Sequence, residues 1–164
     1  MAARQLSLLH ARRTLLAGIA AVALAAPALA ADLQTFDKSK LVIETEKGKF
    51  PFNIELALTM PQMMQGLMYR TELAADAGML FDYKQPETIT MWMKNTFIPL
   101  DMVFIGADGK IVDFHERAVP QSLATIESKV PARAVLEVNS GTVTRLGIKV
   151  GDVVHHAYFN NALN

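Results

Sequence analysis

From Leu41 to Val154 the sequence is a series of short apolar stretches broken by glycine, proline, asparagine and aspartate, a pattern that builds sheets. Leu41–Glu46 reads as a strand, Lys47-Gly48-Lys49 as a turn, and Phe50–Leu58 as a returning strand alternating at Phe52, Ile54 and Leu56. Gly78–Phe81 is a short buried strand and Asp82–Pro86 a turn. Over Thr88–Met93, Ile89, Met91 and Met93 share one face, and Thr88, Thr90 and Trp92 the other. Met102–Ile105 and Lys110–Arg117 form a second hairpin about Gly106-Ala107-Asp108-Gly109, and Ala134–Val138 is a further strand.

One helix interrupts the strands. Thr59 is its N-cap, Pro61 lies in the first turn and Gln62 completes a capping box, so a helix is predicted over about 60–70. Met60, Met63, Met64, Leu67 and Met68 give it one apolar face, and Gly66 lets another backbone approach. Residues 120–131 make an excursion with a helical turn at 122–128. Near the end, Gly141–Val154 reads as a short helix followed by a tight turn and a closing strand, and a Gly151-Asp152 turn of this kind pins strand register in small closed barrels. The fold expected is α+β and mostly antiparallel. It is a small barrel or barrel-like sandwich with one amphipathic helix against an open end and one or two short helical turns.

Residues 1–30 read as a signal peptide: Arg4, Arg12 and Arg13, then an apolar, alanine-rich run from Leu15 to Leu29, then Ala28-Leu29-Ala30 before a cut at Ala30/Ala31. Arg12-Arg13 leaves both the general and the twin-arginine export routes open. Residues 31–39 form a loose arm and 40–160 a single domain, with no later stretch apolar enough to span a membrane. The expected location is periplasmic or secreted. The leader takes three of sixteen basic residues and none of sixteen acidic ones, leaving an acidic surplus that argues against nucleic acid as a partner. The chain has no cysteine, which excludes disulfides, thiolate catalysis and cysteine-based zinc sites.

The chemistry-bearing residues gather around Trp92. Trp92 and Lys94 share a strand face, Asn95 follows, and an indole beside an ammonium and an amide makes a floor for a small ligand. Arg70 and Asp101 lie at element ends, where they form either a buried ion pair or, with Lys94, an anion site. Glu137, placed among Val135, Leu136 and Val138, either faces outward or is inward and perturbed. Asp101 with Glu137 is the carboxylate pair available for acid–base work. Met60, Met64 and Met68 are read as core packing, with Cu(I) coordination by thioethers as the alternative. Asp113, His115 and the His155-His156 pair lack the spacing of a metal motif, and Ser122, Ser128 and Ser140 lack a nucleophile elbow. No metal site and no cofactor is expected.

Gly66-Leu67-Met68-Tyr69-Arg70, Gly78-Met79-Leu80-Phe81, Trp92-Met93-Lys94-Asn95-Thr96 with Ile98-Pro99-Leu100-Asp101, Val135-Leu136-Glu137-Val138 with Gly141, and Leu146-Gly147-Ile148-Lys149-Val150-Gly151-Asp152 occur in that order. Together they resemble the uncharacterised bacterial and archaeal family known as domain of unknown function 192. Tyr69, where phenylalanine is common, and Met91, where a second aromatic usually precedes the tryptophan, depart from its pattern. The resemblance implies a set of positions and no reaction. The function expected is a ligand-binding or accessory module using Trp92, Lys94, Asn95, Arg70, Asp101 and Glu137, whose partner is a small molecule or an envelope protein. Two alternatives stand beside it: a small hydrolase or lyase using Asp101 or Glu137 with Lys94 or Arg70, and a protein-interaction domain without a small-molecule pocket.

Overall fold

Strand pairing between distant segments organises the molecule. A computed structural model describes residues 33–163; the signal-peptide reading falls outside them. The elements are β1 (Asp37–Thr45), β2 (Gly48–Ala57), α1 (Met60–Gln65), β3 (Ala77–Glu87), β4 (Thr90–Met91), β5 (Leu100–Ile105), β6 (Ile111–Ala118), β7 (Ile126–Glu127), β8 (Ala132–Asn139), α2 (Thr142–Leu146) and β9 (Val153–His155). Seven strands form one sheet in the order β6-β5-β8-β3-β2-β1-β9, antiparallel except for β2 with β3. Both expected hairpins are present.

The sheet curls until its two edges meet. Lys110 bridges Val153, and around that bridge the Ile111 amide donates to the Asp152 carbonyl and the Gly151 amide to the Ile111 carbonyl, both at 2.8 Å. The Gly151-Asp152 turn therefore joins β6 to β9. Pairing the edges leaves fewer open backbone groups to recruit another chain.

Alternation splits the apolar side chains between two clusters. Leu41, Ile43, Phe52, Ile54, Leu80, Val103, Leu136 and Val138 fill the curl. Met79, Phe81, Met102, Phe104 and Val135 lie on the opposite face, covered by Leu67, Ile89, Met91, Met93 and Ile98. Each large side chain so buried contributes roughly 1.5–3 kcal/mol. The central strand β8 is apolar on both faces for this reason.

Several local expectations are corrected. The capping box of Thr59 and Gln62 forms, but α1 ends at Gln65 and buries none of its residues. Gly66 at φ +49 turns the chain out of the helix, and a Cβ there would meet the Phe81 ring at 3.0 Å, so the close neighbour is an aromatic ring and not a backbone. The five-residue apolar face never assembles: Met60 and Met64 are 69% and 63% exposed, which overturns core packing for both. Strand β3 runs through the supposed turn to Glu87, absorbing it as an irregularity with Lys84 at φ 68. The excursion at 120–131 holds no helical turn. Instead β7 pairs with β4, the Ser128 amide donates to the Ile89 carbonyl, and Ser128 Oγ accepts from the Ile89 amide, both at 3.0 Å. The supposed loose arm is held as well: β1 begins at Asp37, the Gln34 amide donates to Gln65 Oε1, and Gln62 Nε2 to the Thr35 carbonyl.

Candidate functional site

The second apolar face is incompletely covered, and the gap is a groove of about 290 Å³. Residues 60–68 form one lip through Met60, Met63, Met64 and Met68, and Thr90, Met91, Trp92 and Thr96 form the other. Phe81, Tyr83 and Glu137 line its floor, with Glu87 beside them. The short helix α1 buries none of its residues, so its methionines edge this opening without filling it.

Glu137 is the unusual group. It lies at the middle of β8, between Met79 of β3 and Met102 of β5, both fully buried. Alternation puts its side chain on the same face as Val135, beneath the groove, and it is only 4% exposed. Burial pushes its pKa up to about 8, and no charged partner among the described residues offsets that. The group is therefore a neutral carboxylic acid at pH 7, able to donate a hydrogen bond or, as a cation arrives, to release its proton to solvent. Burial, with lesser help from Glu137 and Glu87, likewise raises Tyr83 to about 12, and its hydroxyl donates to Met91 Sδ at 3.4 Å.

The groove's rim carries the tryptophan segment. Ile89, Met91 and Met93 are buried while Thr88, Thr90, Trp92 and Lys94 are exposed, the two faces the sequence implied. Only Thr90 and Met91 make strand pairs there. Lys94 Nζ lies 5.1 Å from the centroid of the Trp92 ring, a cation–π contact at the mouth. Asn95, at φ 55, accepts from the Tyr69 amide at 2.9 Å, and its Nδ2 donates to Tyr69 Oη at 3.0 Å and approaches Met68 Sδ at 3.9 Å. Tyr69 is itself at φ 66, uncommon for a side chain of that size. Asn95 thus ties the Trp92 segment to the methionine lip.

Arg70 and Asp101 do not meet each other. Arg70 pairs with Glu55 of β2, lies over the Phe36 ring, and lines a separate cleft of about 760 Å³ with Lys38 and Lys40. Asp101 is fully buried in β5 and accepts two amides at 2.9 Å, Arg117 on Oδ1 and Val143 on Oδ2. The first is freed by the irregularity between β5 and β6; the second is an unpaired first-turn amide of α2, whose N-cap Gly141 has no side chain. A carboxylate there also complements the helix N-terminus. Asp101 fastens the fold, and the expected Arg70–Asp101 pair is replaced by these contacts. Of the site residues singled out in sequence, Trp92 and Glu137 line the same groove, while Lys94 lies against the Trp92 ring and Asn95 against Met68 and Tyr69, both outside the lining. The structure adds Tyr83, Glu87 and the exposed methionines, of which only methionine spacing was visible in sequence.

The fold is a small, mostly antiparallel barrel-like domain with a groove on one outer face. The chain belongs to the DUF192 family, described as an uncharacterized ACR, whose model matches residues 41–156. A protein from Sinorhizobium meliloti 1021, provisionally described as a transcription regulator, is 46% identical with a TM-score of 0.74; the match covers 77% of this chain and 98% of that one. A protein of unknown function from Novosphingobium aromaticivorans DSM 12444 is 39% identical with a TM-score of 0.71, over 73% of this chain and 85% of that one. No curated protein matches the sequence.

Proposed function

We propose that the protein is an exported ligand-binding module of the cell envelope, whose site is the groove between α1 and the Trp92 segment. The observation that carries this is Glu137, an ionisable group buried without a charged partner among the described residues at the floor of an open, largely apolar groove. Fully sealed cores exclude such a group, and pairing would have restored its charge. A ligand with a hydrogen-bonding or positively charged end would satisfy the carboxyl while its body meets the methionines and Trp92. Lys94 and Asn95 stand at the entrance, where they set the orientation of what enters. The leader-like residues 1–30 and the acidic surplus of residues 31–164 support export, and argue against carrying over a relative's description as a transcription regulator.

Trp92 is the only tryptophan, so intrinsic fluorescence reports on the groove. A thermal-shift screen of small molecules, followed by Trp92 emission, should yield a ligand whose binding is lost in Trp92→Ala and weakened in Glu137→Gln. A ligand bound equally well by both variants would place the site elsewhere. One observation favours a second, enzymatic reading: a carboxyl titrating near 8 is suited to proton transfer at neutral pH. Asp101 and Arg70 lie outside the groove, so that reading rests on Glu137 with Lys94 at the rim. It requires turnover whose pH profile breaks near 8 and vanishes in Glu137→Gln.

A further inference from the structure

Five of the chain's nine methionines line this single groove: Met60, Met63, Met64, Met68 and Met91. Among the described residues its lining holds two carboxyl groups, Glu87 and Glu137, and no lysine, arginine or histidine. Two of the sulfurs are positioned by polar neighbours, Met91 by the Tyr83 hydroxyl at 3.4 Å and Met68 by the Asn95 amide at 3.9 Å. Met60 and Met64 sit one helical turn apart on α1 and stay in solvent, where leucine would suit the helix equally well and no core needs a flexible filler. What thioether offers and leucine does not is a lone pair on a soft, neutral, polarisable atom.

We infer that the groove binds a soft monovalent metal ion, Cu(I), through methionine thioethers drawn from Met60, Met64, Met68 and Met91. This deepens the ligand-binding reading above and rests on it. The donor set makes the choice among cations. Calcium and magnesium are hard ions that take oxygen ligands, whereas thioethers dominate this lining. Neutral sulfurs suit an ion of single charge, which they coordinate without stacking up negative charge in an apolar site. The lining itself holds no basic side chain, Lys94 standing outside it at the mouth, so neutral thioethers face what enters, and flexible methionines at the open lip can fold over the ion. Trp92 stands at the mouth, close enough for its indole to sense a cation.

The test uses Ag(I), a stable substitute for Cu(I) with the same preference for sulfur, added to protein purified after expression of the whole chain. Trp92 emission should be quenched and saturate at one equivalent. The Met60→Leu/Met64→Leu variant keeps the apolar surface and removes two sulfurs, so its affinity should fall by roughly tenfold or more. Because both side chains are exposed, its melting temperature should match the parent's, which a circular dichroism melt checks. Absence of Ag(I) binding, or equal binding by the leucine variant, overturns the inference. An apolar fluorophore separates the two levels of the argument. If both proteins bind it and neither binds Ag(I), the groove remains a ligand site and the metal reading falls. If neither the fluorophore nor Ag(I) changes Trp92 emission, both fall.

Discussion

Replacing Glu137 by glutamine should make the protein more stable at neutral pH, an uncommon result for a buried polar position. Burial raises the carboxyl from its ordinary 4.5 to about 8 in the folded state. Between those values the native chain holds a proton that the unfolded chain has released. Stability is therefore full below 4.5, falls as pH rises through the window and levels off above about 8. At about 1.4 kcal/mol per pH unit the loss reaches roughly 3 kcal/mol at pH 7 and roughly 5 kcal/mol above the window. The larger loss is comparable to the burial of about two or three large core side chains. Glutamine fills nearly the same volume and does not titrate. Urea denaturation of both proteins at a series of pH values, followed by circular dichroism, should give similar stabilities near pH 4 and a widening gap in favour of the variant up to pH 8. Parallel curves for the two proteins across that range would refute the placement of an unpaired carboxyl on the groove floor.

Two further outcomes test the frame around the site. Asp101→Ala strands the Arg117 and Val143 amides and should cost about 2–4 kcal/mol in denaturant, while any groove ligand still binds the folded fraction, since Asp101 lies outside the groove. Gly78→Ala places a Cβ 2.7 Å from the Glu137 carbonyl oxygen, in the β3–β8 pairing beneath the groove. It should cost about 1–3 kcal/mol and weaken ligand binding together with stability, because β8 must move to accommodate it.

Much of the fold was legible because it is written in local periods. Alternation marked the β1–β2 and β5–β6 hairpins, and it separated Ile89, Met91 and Met93 from Thr90, Trp92 and Lys94 although only Thr90 and Met91 make strand pairs. The side-chain period is a property of the extended backbone and does not wait for a partner strand. The capping box located the start of α1 for the same reason: its bonds span three residues. Its end is not written locally: at Gly66 the chain leaves the helix against the Phe81 ring, which another strand brings there.

The sequence by itself determined the residue types, their faces and the family. It put a tryptophan, a lysine and an asparagine in one short run and an acid in an apolar strand. It left open which face of β8 would be buried under what, because apolar residues on both sides erase the alternation that marks inside from outside. The tertiary structure decided that Glu137 lies under a groove, that Asp101 serves two backbone amides and that Arg70 faces Glu55. These pairings join segments brought together only by the curl of the sheet. No local propensity encodes them; they follow from strand order and register, which fix which distant side chains come into reach.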